Sequence, residues 1–194
     1  MTRLPAPDPA AFSEDLREFL APFPPDGMFT MLAHSPSTVK AFIGLAQTLY
    51  TSLDLTVRDR ELAILTLADA VGGEFVFAQH IPISAAAGID DTVRRAIREH
   101  DHENAALSGH DRAVVRFTAE LATAQPVSDA TFAALRQYLP DREVVELLHV
   151  CGYYWTLSRL CTVLEVDLTQ LYAEVPAEGF DDGSARAAGT TTSA

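Results

Sequence analysis

The chain has 194 residues, 48% of them hydrophobic, which is enough apolar matter for one packed domain. Its formal charge of −13 argues against a nucleic-acid surface, and the densest cationic cluster, Arg94, Arg95 and Arg98, is ringed by Asp90, Asp91 and Glu99. No apolar run approaches the roughly 18 residues that cross a bilayer, and Met1 to Pro9 lacks the apolar stretch of a signal peptide, so a cytoplasmic protein with no membrane partner is expected.

Residues 1–10 read as a flexible arm. Ala11 to Leu20 is a short amphipathic segment stopped by Pro22, Pro24 and Pro25. Val39, Phe42, Ile43, Ala46 and Leu49 recur at helical spacing and predict a helix from Ser37 to Tyr50. Thr56 is an N-cap with Asp59 three residues on, a variant of the capping box. The helix it opens carries Leu62, Ile64, Leu65, Leu67, Ala68 and Val71. It is apolar on most faces, which places it at the centre of the core. Gly72 and Gly73 end it.

A further helix runs from about Glu74 to Ala87, where Gly88 caps it, and another from Asp90 to His100. Ser108 caps a helix over Asp111 to Ala124, and Pro126 breaks it. Ser128 caps one that reaches about Tyr138. Pro140 and Asp141 open a last long helix to about Val166. No segment has the period of two that marks a strand, so the fold class is all-α, a single helical domain over residues 11–176. Residues 177–194, rich in Ala, Gly, Thr and Ser, read as a disordered tail.

The residues that bear on chemistry lie between Arg58 and His80. A helical hairpin turning at Gly72-Gly73 brings Glu61 toward His80, and a buried Glu beside a His is an acid–base arrangement. Glu61 has a plainer reading, as a first-turn acid that complements the helix dipole or pairs with Arg58 or Arg60. Cys151 and Cys161 would stand roughly 15 Å apart on one helix, too far for a disulfide, and read as reduced, buried side chains. Tyr153, Tyr154 and Trp155 are candidates for core, subunit contact or pocket lining. Arg159 is a candidate for a substrate carboxylate or for a salt bridge between subunits. His100, His102 and His110 stand near acids in a polar loop without the repeated spacing of a zinc site, so no metal is expected. There is no phosphate-binding Gly loop, dinucleotide Gly pattern or Gly-x-Ser-x-Gly elbow.

Leu55 to Glu61, then Gly73-Glu74-Phe75-Val76-Phe77-Ala78-Gln79-His80, together with Ala87-Gly88-Ile89, Tyr153-Tyr154 and Arg159, resemble the signature of the carboxymuconolactone decarboxylase and alkylhydroperoxidase D-like family. The resemblance covers roughly residues 30–170. Thiol peroxidases of that family carry a Glu, then Cys-x-x-Cys, then a His. Glu61 and His80 fill the outer positions here, while Gly73 and Val76 stand where the two cysteines would be. Peroxide reduction needs a thiolate and a resolving thiol, and neither is present in the motif. Some non-redox relatives place a Glu and a Trp where this chain has Val76 and Phe77.

The resemblance implies a helical bundle of the alkylhydroperoxidase D-like type that assembles as a homo-oligomer, a trimer or a hexamer. It also implies an enzyme without cofactor that works on a small carboxylate, lactone or carbonyl compound. His80 would be the general acid/base and Glu61 its orienting or relay partner. Gly73, Val76, Phe77, Tyr154 and Arg159 would meet the substrate. The alternatives are a thiol peroxidase, which the absent cysteine pair disfavours, and a non-catalytic oligomeric scaffold.

Overall fold

The structure, a computed structural model, describes residues 2–23, 27–123 and 126–166. The tail expected at 177–194 and the domain end expected at 176 lie outside the described residues. Among the described residues there are nine α-helices and no strand. They are α1 (Glu14–Leu20), α2 (Gly27–Leu32), α3 (Pro36–Thr51), α4 (Val57–Ala70), α5 (Glu74–Ala86), α6 (Asp91–Arg98), α7 (Gly109–Thr123), α8 (Asp129–Leu135) and α9 (Asp141–Leu164). None of them is long and apolar enough to cross a membrane.

Helix α4 is the axis of the molecule. Leu62, Ala63, Ile64, Leu65 and Ala68 are fully buried, and α5, α7 and α9 pack around them. A helix surrounded in this way has no polar face to show, so its charged residues must find partners inside the protein. Its start is fixed by Thr56, whose hydroxyl accepts the Asp59 N–H and donates to Asp59 Oδ2 at 2.7 Å. The reciprocal bond therefore ends on the hydroxyl, where a full capping box would end on the backbone N–H.

Its stop is the expected Gly pair. Gly72 takes a φ of +68°, a left-handed conformation that costs glycine nothing, and Gly73 N–H closes on Ala68 O at 2.7 Å. The turn sends α5 back along α4 and against α9. Ser108 completes a true capping box on α7: its hydroxyl accepts the Asp111 N–H, and Asp111 accepts the Ser108 N–H.

Helix α2, six residues after the Pro run, was not foreseen. It helps form a second small core, in which Leu16, Val39 and Ile43 pack with Phe12, Phe19, Leu20, Phe29 and Leu32. Helix α3 joins that core to the main one, through Phe42 stacked on Tyr153 with ring centres 4.3 Å apart. The N-terminal arm touches the body at Arg3, whose N–H donates to Leu164 O, and at Pro5, whose carbonyl meets His34 Nε2.

Candidate active site

The α4–α5 hairpin brings Glu61 and His80 together. His80 Nδ1 lies 2.7 Å from Glu61 Oε2, and the two residues are 4% and 0% exposed, His80 and Glu61 respectively. The other carboxylate oxygen, Oε1, accepts from Arg60 Nε at 3.1 Å. Arg60 Nη1 donates to Leu49 O at the end of α3, and its guanidinium lies 4.1 Å from the centre of the Tyr50 ring. From α9, Tyr154 sets its ring edge-on to His80, 5.0 Å between centres, and its hydroxyl is 2.9 Å from that of Tyr50. Four helices thus converge on one buried polar cluster.

Burial by itself would push the Glu61 carboxyl up. The charge and hydrogen bond of His80, followed by those of Arg60, outweigh burial and hold it below the usual carboxylate range. Glu61 is therefore an anion, and His80 Nδ1 must be the donor in their bond. That leaves the second ring nitrogen, Nε2, which makes no hydrogen bond to a described residue, as the atom able to exchange a proton. The Tyr50 and Tyr154 hydroxyls are raised well above their ordinary value, chiefly by burial and also by the Glu61 charge, so both stay protonated near neutrality.

Not every residue singled out in the sequence joins this cluster. Gly73 is the N-cap of α5 and packs directly on α9: a Cβ there would stand 2.5 Å from Ser158 Oγ and 2.8 Å from Ser158 Cβ. A thiol at position 73 is absent from the sequence, and its Cβ would require Ser158 or the hairpin to shift. Val76 is buried, one turn before His80 on the same side of α5.

Phe77 and Arg159 make contacts of their own with Arg98 and Trp155. Phe77 lies under Arg98, whose guanidinium is 3.7 Å from the ring centre and also grips Glu74 with both outer nitrogens, so its ring serves the α5–α6 contact. Arg159 is exposed and lies over Trp155, 5.7 Å from the ring centre. Five residues beyond Tyr154, it sits roughly 140° round the helix and points outward.

Cys151 and Cys161 are reduced thiols buried on the continuous α9, and burial pushes the Cys151 thiol up to about 12. Such a thiol is a poor nucleophile. No cluster of three metal-ligating side chains occurs among the described residues. A shallow groove of about 430 Å³, lined by His100, His102, Arg116, Glu120 and Thr131, shares no residue with the Glu61–His80 cluster. Tyr50 is the member that sequence spacing missed, because it closes the apolar run of α3 and reads there only as core.

No protein-family model matches the chain, and no curated protein matches it by sequence. Solved structures do match. One is described as the alkylhydroperoxidase AhpD core, an uncharacterized peroxidase-related protein from Ralstonia eutropha JMP134: TM-score 0.72, 21% identity, 92% of this chain and 94% of that one. Another is an uncharacterized peroxidase-related protein from Silicibacter sp. TM1040: TM-score 0.67, 17% identity, 85% of this chain and 89% of that one. A third is a variant of the debrominase Bmp8 in complex with 2,3,4-tribromopyrrole: TM-score 0.61, 18% identity, 80% of this chain and 83% of that one. The α4–α5 hairpin packed on α7 and α9 is thus part of an AhpD-type fold, and that is the fold of this chain.

Proposed function

We propose that this chain is a non-redox protein of the carboxymuconolactone decarboxylase and alkylhydroperoxidase D-like kind, and an enzyme of acid–base chemistry. His80 Nε2 exchanges a proton with a small carboxylate, lactone or carbonyl substrate. Glu61 holds the opposite ring nitrogen and stabilises the imidazolium when it forms. The Tyr154 ring packs edge to face with His80 and its protonated hydroxyl pairs with Tyr50 in the same cluster, while Val76 stands one turn before His80 on α5. The observation that carries this reading is the 2.7 Å His80–Glu61 contact in a buried position, on a hairpin whose two thiol positions hold Gly and Val.

The expected homo-oligomer, a trimer or hexamer, has support in the outer face of α9. Val145, Leu148, Trp155 and Val163 are 41–55% exposed there, around a bare Gly152 that lets another surface approach closely. Burial of the His80–Glu61 pair favours a second reading, a binding or scaffold protein whose inherited site is closed.

The experiment is a panel of small lactones, carboxylates and enolisable ketones, assayed with wild type, His80→Ala and Glu61→Gln. Turnover lost about 100-fold or more in His80→Ala supports the enzyme reading. Turnover that survives both substitutions sinks it. A hydroperoxide assay with a thiol-regenerating system is run beside it on wild type and the Cys151→Ser, Cys161→Ser double variant. Thiol-dependent turnover lost in the double variant would return the chain to the peroxidases.

A further inference from the structure

Consecutive residues on an α-helix diverge by about 100° and do not normally touch through their side chains. Arg60 and Glu61 do touch, at 3.1 Å, while Arg60 is 5% exposed and Glu61 is fully buried. A buried guanidinium is costly unless its donors and its charge are matched. Here it is seated by α3: the Leu49 carbonyl takes one N–H and the Tyr50 ring takes its face. The C-terminal end of α3 thus holds the guanidinium where it reaches the carboxylate oxygen that His80 does not use. Each oxygen of Glu61 has one partner, a fixed cation on Oε1 and an imidazole on Oε2.

We infer that Arg60 is a positioning residue of the site: it clamps Glu61 in one pose, and so fixes the orientation of the His80 ring, with Nδ1–H on Glu61 and Nε2 turned away from it. The groups facing Glu61 are Arg60 on its own helix, His80 from α5, Tyr50 from α3 and Tyr154 from α9. Arg60 is the only guanidinium among them. His80 is the larger of the two influences that hold Glu61 as an anion, and Arg60 adds the second from the opposite oxygen. With Arg60 present, the neutral-acid form of Glu61 would leave a buried cation unmatched, and that form is suppressed. The seat on Leu49 and Tyr50 makes the state of the acid–base pair depend on how α3 is docked.

This inference rests on the proposed acid–base role of His80, but its test does not need a substrate. Glu61 is followed by its infrared carboxylate bands, identified by difference against Glu61→Gln, across an acid titration of wild type and Arg60→Gln. The bands are expected to persist in wild type to lower pH than an ordinary glutamate, and to disappear about one pH unit or more higher in Arg60→Gln. Identical titrations in the two proteins, or an ordinary titration in wild type, overturn the inference. Arg60→Lys keeps the charge without the planar fork, so it tests the pose even if Arg60→Gln does not fold. Its His80 ring, read by nitrogen NMR, is expected to show a mixture of tautomers where wild type shows the Nδ1–H form alone. An unmixed Nδ1–H signal in Arg60→Lys also overturns it. Absence of turnover on every substrate, with these shifts intact, would defeat the catalytic reading and leave the clamp standing.

Discussion

Glu61 and Asp69 lie about two turns apart on α4, and each meets a histidine. Glu61 meets His80 at 2.7 Å with both side chains inside the protein. Asp69 meets His100 at 3.5 Å, its carboxylate is also held by Arg98, and the His100 side chain is 66% exposed on the rim of the shallow groove. A third pair stands at the start of the helix. His110 Nε2 is 3.1 Å from Asp59 Oδ1 but lacks the geometry of a hydrogen bond, and its ring lies on Tyr138 with 38% of the side chain exposed. The sequence ingredients are alike in the three places. What differs is the setting: His100 stands mostly in solvent, which weakens its pair with Asp69, His110 lacks hydrogen-bond geometry to the buried Asp59, and only Glu61 and His80 combine burial with a hydrogen bond. A histidine near a carboxylate is common surface chemistry; one held in a dry cluster with a fixed cation behind the carboxylate is what makes Glu61 and His80 the candidate proposed above.

The widest separation between these regions should appear on truncation. Glu61→Ala leaves Arg60 and His80 buried without their shared partner, and removal of one member of a buried ion pair costs about 3–5 kcal/mol. His100→Ala removes a mostly exposed ring from a pair that Arg98 backs up, and about 0–1 kcal/mol is expected. Urea denaturation of the two variants checks the contrast, and comparable losses would mean that burial does not distinguish the pairs.

The hairpin turn offers a second way to sharpen the comparison, because its fit to α9 is steric. A Cβ at Gly73 meets both Oγ and Cβ of Ser158, which is fully buried and whose hydroxyl has no hydrogen-bond partner among the described residues. Gly73→Ala should therefore cost about 1–3 kcal/mol by overpacking. Ser158→Gly removes both obstructing atoms, so the double variant should lose less than the two single losses combined. Thermal melts of the three proteins decide it, and strict additivity would mean that the hairpin simply shifts away from α9. The same pair explains why restoring cysteines at 73 and 76 alone is not expected to restore a dithiol site.

Much of this was legible in the residues. Caps at Ser108, Ser128 and Thr56 and stops at Gly72 and Gly88 placed the helix ends, because capping is local chemistry that a few adjacent side chains decide. The centrality of α4 followed from its all-round apolar faces. The Glu61–His80 meeting followed from one turn between two helices of known rise. What the sequence withheld depends on contacts between distant segments. Helix α2 is six residues long, too short to show a period. Tyr50 enters the site because α3 docks there, and nothing within α3 distinguishes it from core. Arg60 was visible only as one candidate partner of Glu61, since the seat that lets it turn toward its neighbour comes from another helix. The contacts that Phe77 and Arg159 make were hidden for the same reason. The Arg98 guanidinium that claims Phe77 comes from α6, and the roughly 140° between Tyr154 and Arg159 puts that arginine on the outer face of α9.

The smallest expected effect is on the pH dependence of stability. The Glu61 carboxyl is held below its ordinary value of 4.5 in the folded protein, by His80 and Arg60 against the opposing effect of burial. A carboxyl depressed by folding binds its proton more weakly in the native state than in the unfolded chain. Its contribution is therefore present above the unfolded value and lost as pH falls through the folded one. Glu74, gripped by Arg98, is lowered too, but it is mostly exposed and its share is screened. Wild type should accordingly lose stability on acidification below about pH 4.5. Glu61→Gln, less stable at neutral pH, should lose less over the same interval, so that the two urea midpoints converge toward acid. His100→Ala should run parallel to wild type, because the groove-side histidine does not hold Glu61. Midpoints of wild type and Glu61→Gln that stay parallel down to about pH 3 would mean that Glu61 is not the anion that the Arg60 and His80 contacts require.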